Sequence, residues 1–404
     1  MQVVTPPGAN SVSESVEGIP GAYVTYVGGG DVTVRCGDAT MVSDSAVNYD
    51  HLVQAVMIGN VRYTDTTRVM DAGRVTYFGA RDLVVAEEDV TLVTRRSGAR
   101  LEGPRVEFLR TPLRGSRTVA TGRPRMILPT GTGGPGTEPF VVDADVAEFH
   151  GQEETFARGD VEIRRADLNA TADSATFRAD GRGVLYGDPV VWGEDYRMTG
   201  DSIVAQFTAG QLDDVHALGT ATTTGNGFDL RSEEIRVRLD QRQIQRLWAF
   251  GPGRSVASSG RFRLAGDSLD FVFTDGTVDS IAAVGSATSV ETTGVVTGAL
   301  EELELSTKVG SNWMAGDTIR AQFAAPPADS EENPEPALDR LVALGNARSF
   351  YGAVRDSART QEPSRNYLLG VQIEIRFENG EPAEVRGYDA IGVYLEPVAE
   401  GEGR

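Results

Sequence analysis

The stretch DSIVAQFTAGQLDDVHALGTA, residues 201–221, returns 66 residues later as DSLDFVFTDGTVDSIAAVGSA, residues 267–287. The matches keep their spacing: Asp201, Phe207, Gly210, Leu212, Val215, Ala217, Gly219 and Ala221 align with Asp267, Phe273, Gly276, Val278, Ile281, Ala283, Gly285 and Ala287. Between them EEIRVRLDQRQIQRLWAFGPG, residues 233–253, again sets eighteen residues between an opening acid, Glu233, and a glycine, Gly251. An internal repeat of about thirty residues selects a repeat architecture. Within one unit Ile203, Ala205 and Phe207 occupy every second position, which is the period of a strand. Ala209-Gly210 and Asp275-Gly276 then stand between two such runs, and dipeptides of this kind supply the positive φ angles of a tight hairpin. Consecutive strands are therefore expected to be antiparallel, and the fold class all-β. A parallel β-helix would join its strands by coils instead.

The rest of the chain repeats the pattern with varied spacing. A lead of residues 1–20 is expected to be disordered, followed by an N-terminal module over 21–128 with three imperfect units. The first of these runs from Asp44 to Gly59-Asn60-Val61, and the second carries Glu88-Asp89-Val90 where the first has Gly-Asn-Val. A Gly/Pro-rich seam at 129–138 is the best internal boundary. A C-terminal module is expected over 139–397, beginning with two units in which Asp145–Gly159 and Asp173–Gly187 are each fourteen apart. In the unit that opens at Asp317 the glycine is delayed to Gly345, and the acidic, proline-rich insert at 324–337 reads as a solvated loop. Asn379-Gly380 signals a last hairpin, and 398–404 a frayed tail.

Composition narrows the function. A net charge of −21 opposes binding to nucleic acid or to an anionic membrane surface. No apolar run approaches the length of a membrane helix, so the chain is expected to be soluble. The lone Cys36 excludes an internal disulfide and a cysteine-based zinc site. Lys308 is the only lysine, a bias toward arginine that reads as a property of the coding sequence. The N-terminus has neither a basic n-region nor an apolar h-region, which leaves a cytosolic protein or an exported one whose leader has been removed.

The repeated signature Asp-Ser-Ala-x-Phe/Tyr, turn, Ala-x-Gly-Asn/Asp-Val resembles that of the OstA-like (organic-solvent-tolerance) family of the lipopolysaccharide transport system. It is visible in Asp44-Ser45-Ala46 with Gly59-Asn60-Val61, in Asp173-Ser174-Ala175-Thr176-Phe177 with Gly187-Asp188, and in Ala157-Arg158-Gly159-Asp160-Val161. The resemblance spans residues 30 to 395, its motifs are short, and the repetition makes it specific. It implies an elongated, open antiparallel β-jellyroll folded like a taco, located in the periplasm. The apolar inner face of such a fold would hold acyl chains of lipopolysaccharide or another lipid on their way to the outer membrane. At nine or ten units the chain is longer than the short bridge protein of that family, and it lacks the downstream part of the outer-membrane barrel member. Bridge, shuttle and piece of a larger translocon all stay open. Edge strands at the ends would also allow pairing with other jellyroll components, or end-to-end self-association.

Catalytic signals are missing. His51, His150 and His216 are scattered, and no nucleophile elbow, Ser-x-x-Lys, His-Glu-x-x-His or phosphate loop occurs, so neither an enzyme nor a cofactor or metal is expected. The recurrent Asp173, Asp201, Asp267 and Asp317 read as turn-forming acids at strand starts that bond to their own backbone. The candidate lipid-facing residues are Ala175, Phe177, Ile203, Ala205, Phe207, Ile235, Val237, Leu239, Leu269, Phe271, Phe273, Ile319, Ala321 and Phe323, with Leu212, Val215, Leu247, Ile281 and Leu341 from the return strands. Three function classes are open: a lipid-binding transport module, a structural or adhesive β filament with a filled core, and a carbohydrate-active β-solenoid enzyme. An open apolar groove would mark the first, a packed interior the second, and an exposed carboxylate cluster the third.

Overall fold

Period-two patterning over runs of ten or more residues dictates long strands, and long strands they are. The computed structural model describes residues 2–4, 9–109, 117–129, 138–151, 153–166, 168–193, 196–225, 227–260, 262–291, 312–324, 337–353, 364–378 and 381–395. Apart from two single 3-10 turns at Asp50–Leu52 and Gly79–Arg81, the regular structure described is β. Among the described residues the strands pair antiparallel, each chiefly with its neighbours in sequence. The protein is all-β.

Hairpin chemistry matches the expectation. Asp275 and Gly276 both lie in the left-handed region, with φ of 52° and 78°, and join Ser268–Thr274 to Thr277–Glu291. Gln241-Arg242, at φ 49° and 70°, makes the same turn with no glycine, closed by the pairing of Asp240 with Gln243.

The recurrent acid and glycine have in part a different place from the one expected. They stand at corners: Asp145, Asp201 and Asp267 immediately precede a strand, as expected, whereas Asp44, Asp173 and Asp317 lie inside one, and none of them forms a hairpin turn. Gln54–Thr64 pairs with Arg68–Phe78 in two segments, Gln54–Ile58 on Phe78–Arg74 and Val61–Thr64 on Ala72–Val69, with Gly59-Asn60 opposite Gly73 at the break. Two residues facing one is a β-bulge, which bends a strand sharply. Similar register breaks recur from strand to strand, so the meander folds over along a line of corners into two facing walls. Wall A holds the segments that run from a corner acid to the next corner glycine, and wall B holds the others.

At six corners an aspartate packs against the glycine of the next strand: Asp44 on Gly59, Asp145 on Gly159, Asp173 on Gly187, Asp201 on Gly219, Asp267 on Gly285 and Asp317 on Gly345. These glycines have φ between 68° and 81°, and a Cβ on any of them would run into the facing carboxylate. Main chain closes the pair as well, through Asp145 N–H to Gly159 O (2.9 Å) and Asp267 N–H to Gly285 O (3.1 Å). The side chain after the glycine completes the site, since Asn60 Nδ2 and Thr220 Oγ1 donate to Asp44 and Asp201 at 2.9 and 3.0 Å. The acid thus serves the neighbouring strand rather than its own backbone. At Glu88-Asp89 the roles are exchanged: both residues have positive φ, 68° and 51°, and the glycine, Gly73, faces them from the previous strand.

This geometry explains the spacing. The acid-to-glycine interval counts residues out along wall A and back. Fourteen residues from Asp145 contain the pairing of Val146–His150 with Arg158–Glu154, whereas eighteen from Asp267 contain that of Ser268–Thr274 with Val284–Thr277. The strands are longer in the second case, while the turns stay short.

The chain divides into two compact units, residues 1–191 with 204–211, and residues 192–203 with 212–404. The division does not fall at the Gly/Pro-rich seam, because Arg125–Leu128 before it pairs with Phe140–Asp143 after it. That run connects a hairpin. Nor is the lead unstructured throughout: Gln2–Val4 and Asn10–Ser15 both pair with Tyr23–Cys36. Residues 130–137 of the seam, 325–336 of the acidic insert, the Asn379-Gly380 turn and the tail lie outside the described residues.

Candidate functional site

The alternation that builds the walls also points one side chain in two inward. Of the fourteen candidate lipid-facing residues, Ala175, Ile203, Ile235, Val237, Leu239, Leu269, Phe271, Phe273, Ile319, Ala321 and Phe323 are buried in the interior. Phe177, Ala205 and Phe207 are only half-buried. Leu212, Val215, Leu247, Ile281 and Leu341 on the return strands are buried too. All of these lie on wall A. The facing side chains of wall B, including Tyr63, Leu92, Leu101, Met126, Phe140, Phe228, Phe262 and Leu264, escaped the sequence reading. Their signal was present, since Phe262-x-Leu264 and Leu101 also follow period two, but it stands before the corner acid instead of after it.

The two units close their walls differently. In the second unit Phe228 of wall B meets Phe271 and Phe323 of wall A edge-on, with ring centroids 5.7 Å apart in both pairs, and Phe262 stacks on Phe323 at 5.7 Å. Such aromatic pairs add to the free energy of simple burial. Beside them, among the described residues, remains a gap of about 40 Å³ lined by Val237, Leu239, Phe271 and Phe273, among others. Around these rings the described residues pack closely.

In the first unit the rim opposite the corners is closed by guanidinium groups. Arg165 of wall B lies over Phe140 at 5.2 Å and over Phe207 of wall A at 5.5 Å, and its Nη2 donates to the Gly210 carbonyl at the wall A hairpin (2.7 Å). Phe140 in turn touches Phe207 edge-on at 4.9 Å and Phe177 at 6.4 Å. Beside this cluster opens a cavity of about 260 Å³, lined by Leu128, Phe140, Phe177 and Phe207 and rimmed by Arg178, Asp180 and Arg182. The half-burial of Phe177 and Phe207 reflects this cavity.

A second rim cavity of about 140 Å³ lies between Thr67, Arg68, Leu92 and Thr94 of wall B and Phe108, Arg117, Thr118 and Phe149 of wall A. Arg68 lies 4.5 Å over the Phe108 ring, and Tyr63 meets Phe108 edge-on at 5.3 Å. Asp65 anchors the turn before Arg68: it accepts from Tyr63 OH (2.8 Å), Thr67 N–H (2.6 Å), Thr67 Oγ1 (2.8 Å) and Arg68 N–H (2.8 Å). Burial pushes the Asp65 carboxyl up, but these hydrogen bonds outweigh it and hold the group below the usual carboxylate range. Burial, then the bond to Asp65, pushes the Tyr63 phenol far up, so it stays a neutral donor.

The histidines are not brought together. His150 Nε2 lies 3.2 Å from Glu148 and His216 Nε2 lies 2.9 Å from Glu234, each in an ion-pair position on an outer face. Among the described residues no group of three His, Cys, Asp or Glu could hold a metal ion.

The sheet ends also differ. Among the described residues of the second unit, Glu381–Tyr388 and Ile391–Leu395 each pair on one side only, with Ser364–Glu378. They and their neighbour expose Tyr367, Leu369, Val371, Ile391, Val393 and Leu395, with Ile391 75% exposed. In the first unit the edge strand Asn10–Ser15, sequence NSVSES, is exposed but polar. No family model and no curated protein matches the chain, so the likeness to the OstA-like family rests on the repeated motif alone.

Proposed function

We propose that the chain is a non-catalytic lipid-handling module, which takes acyl chains of lipopolysaccharide or a similar amphiphile between its walls and works in the periplasm beside other jellyroll components. The observation that carries this reading is the aromatic cavity at the rim of the first unit, where the half-buried Phe177 and Phe207 stand beside the buried Phe140. Each methylene moved from water onto these rings contributes roughly 0.8 kcal/mol. The apolar strand Ile391–Leu395, paired on one side only among the described residues, supports the partner part of the reading, because an edge of this kind accepts a further strand.

A photoreactive residue at position 207 tests the reading directly. Crosslinking to lipid in a Gram-negative host from position 207, but not from the neighbouring Gln206, is the expected result. Phe207→Asp should abolish capture while Phe207→Leu keeps it, since a desolvated carboxylate opposes an acyl chain beside it. Labelling from 206 and not 207 would refute it.

One observation favours the structural filament instead: among the described residues the gap beside the Phe228 cluster of the second unit is only about 40 Å³. On that reading lipid never co-purifies, and the protein serves as a rigid spacer.

A further inference from the structure

We infer that the outer face of wall B in the second unit, between residues 290 and 395, docks on the surface of a lipid bilayer that carries anionic headgroups. The inference goes beyond the cavity of the first unit and does not depend on it. Its basis is a row of side chains that alternation points away from the interior. Val290 pairs with Trp313, Trp313 with Phe350, Phe350 with Tyr367 and Tyr367 with Val393, so five strands in succession place an apolar or aromatic residue at one level of the same face. Their chain neighbours Met314, Ser349 and Tyr351 are buried on the inner side, which fixes the direction of the row. Trp313 stacks on Phe350 at 6.4 Å and meets Tyr367 edge-on at 6.2 Å. Leu369, Ile391 and Leu395 lie on the same face and are exposed, Ile391 by 75%.

The charges of this face set it apart. Arg348 stands beside Leu369 and Arg365 beside Leu395, so two guanidinium groups lie among aliphatic side chains and rings. Neither makes an ion pair or a side-chain hydrogen bond among the described residues. On the outer face of wall A in the same unit the arginines have carboxylate partners: Arg236 bonds Asp214, Arg246 bonds Asp270 and Arg340 bonds Glu374. The described residues of the wall B rows, from Val290 to Val393 and from Arg348 to Ile391, include no acid, in a protein of net charge −21. Such a set of side chains suits the boundary between acyl chains and headgroups. Trp and Tyr rings settle at headgroup level, and an arginine keeps its stem in the apolar layer while its guanidinium reaches a phosphate. The charge of the rest of the chain acts against an anionic surface only from a distance, and at physiological ionic strength charges more than about 8 Å apart are largely screened. A second copy is the poorer occupant, because two such faces laid together would oppose arginine to arginine with no acid of the described rows between them.

The test is flotation of the full chain with mixed vesicles of phosphatidylethanolamine and phosphatidylglycerol, against vesicles of phosphatidylcholine alone. Binding to the mixed vesicles should be about tenfold or more tighter. Ile391→Asp combined with Val393→Asp, both at exposed positions, should abolish binding while circular dichroism shows the fold kept. Arg348→Gln combined with Arg365→Gln should remove the preference for the anionic vesicles. Val12→Asp, as exposed as Val393 but on the polar edge strand of the first unit, should change nothing. No binding to either vesicle overturns the inference, and so does binding that both pairs of substitutions leave intact. Equal binding to the two vesicles overturns the part given to the arginines. Oligomers in sedimentation that vanish with Ile391→Asp and Val393→Asp, without any vesicle binding, assign the face to a second copy instead. Lipid crosslinking from position 207 is read separately, so none of these results decides the lipid reading of the first unit.

Discussion

The two units are built by one rule and finished by two. In both, corner glycines fold a meander into facing walls. In the second unit phenylalanines from each wall reach across and meet, Phe228 with Phe271 and Phe323, and the described residues pack closely around them. In the first unit rings also meet across the walls, Tyr63 with Phe108 and Phe140 with Phe207, but arginines lie over them, Arg68 on Phe108 and Arg165 on Phe140 and Phe207, and cavities stand beside them. An arginine brings a long stem and a flat cation that stays partly hydrated. A ring pair excludes water altogether. The same strand repeat can thus be packed by rings alone or carry arginines over its rings, with polar-rimmed hollows beside them.

The shared rule is the first thing to break. Gly285→Val puts a β-branched side chain at φ 81° and drives it into Asp267, for an expected loss of about 3 kcal/mol or more in chemical denaturation. Gly276→Val, at a hairpin where a Cβ meets nothing within 4 Å, should cost only the conformational part, about 1–2 kcal/mol. Equal losses would show that the acid contact at the corner contributes nothing.

The rims come next. Phe228→Ala removes a ring from a closely packed cluster and should cost about 3–5 kcal/mol in the second unit. Phe207→Ala, beside a cavity and half-buried, should cost roughly 1–2 kcal/mol, because less surface is returned to water. A larger loss at 207 than at 228 would reverse the contrast between the units.

A smaller effect, about 1–3 kcal/mol near neutral pH, is expected for Asp65→Asn. The Asp65 pKa is depressed in the folded state, so its contribution is complete above the ordinary carboxylate range and is lost as pH falls through the folded value. The difference between wild type and variant should therefore shrink on acidification below about pH 4. A gap that stays constant with pH would mean that the Asn amide reproduces the whole network.

The smallest change is predicted on the outer face. Arg246 bonds Asp270 through Nε (2.8 Å) and Nη2 (2.6 Å) and covers Trp248, but the pair is exposed. Arg246→Ala should alter stability by no more than about 1 kcal/mol.

Much of this was legible in the residues, and the reasons differ by level. Ile203-x-Ala205-x-Phe207 and the Asp275-Gly276 pair depend only on local chemistry, the period of a strand and the φ of a turn, so strands and hairpins could be read without a structure. The recurrence of acid and glycine was equally plain, yet its meaning was not. A spacing of eighteen fits an acid that caps its own strand as well as one that packs on the next, and only the register between strands decides. The seam at 129–138 looked like a boundary because composition reports loops, whereas Arg125–Leu128 pairing with Phe140–Asp143 is a non-local fact.

The sequence by itself determined the all-β class, the antiparallel order, the length of each wall between acid and glycine, and which side chains on wall A face inward. The tertiary structure alone decided that those side chains meet a second wall, that Phe207 borders a cavity of about 260 Å³ while Phe273 is buried beside a gap of about 40 Å³, and that Arg68 and Arg165 reach across the rim. Alternation states the side on which a residue lies, and it carries no information about distance. The gap between two walls is set by the summed volumes of side chains from strands far apart in sequence, and that sum exists only once the chain has folded.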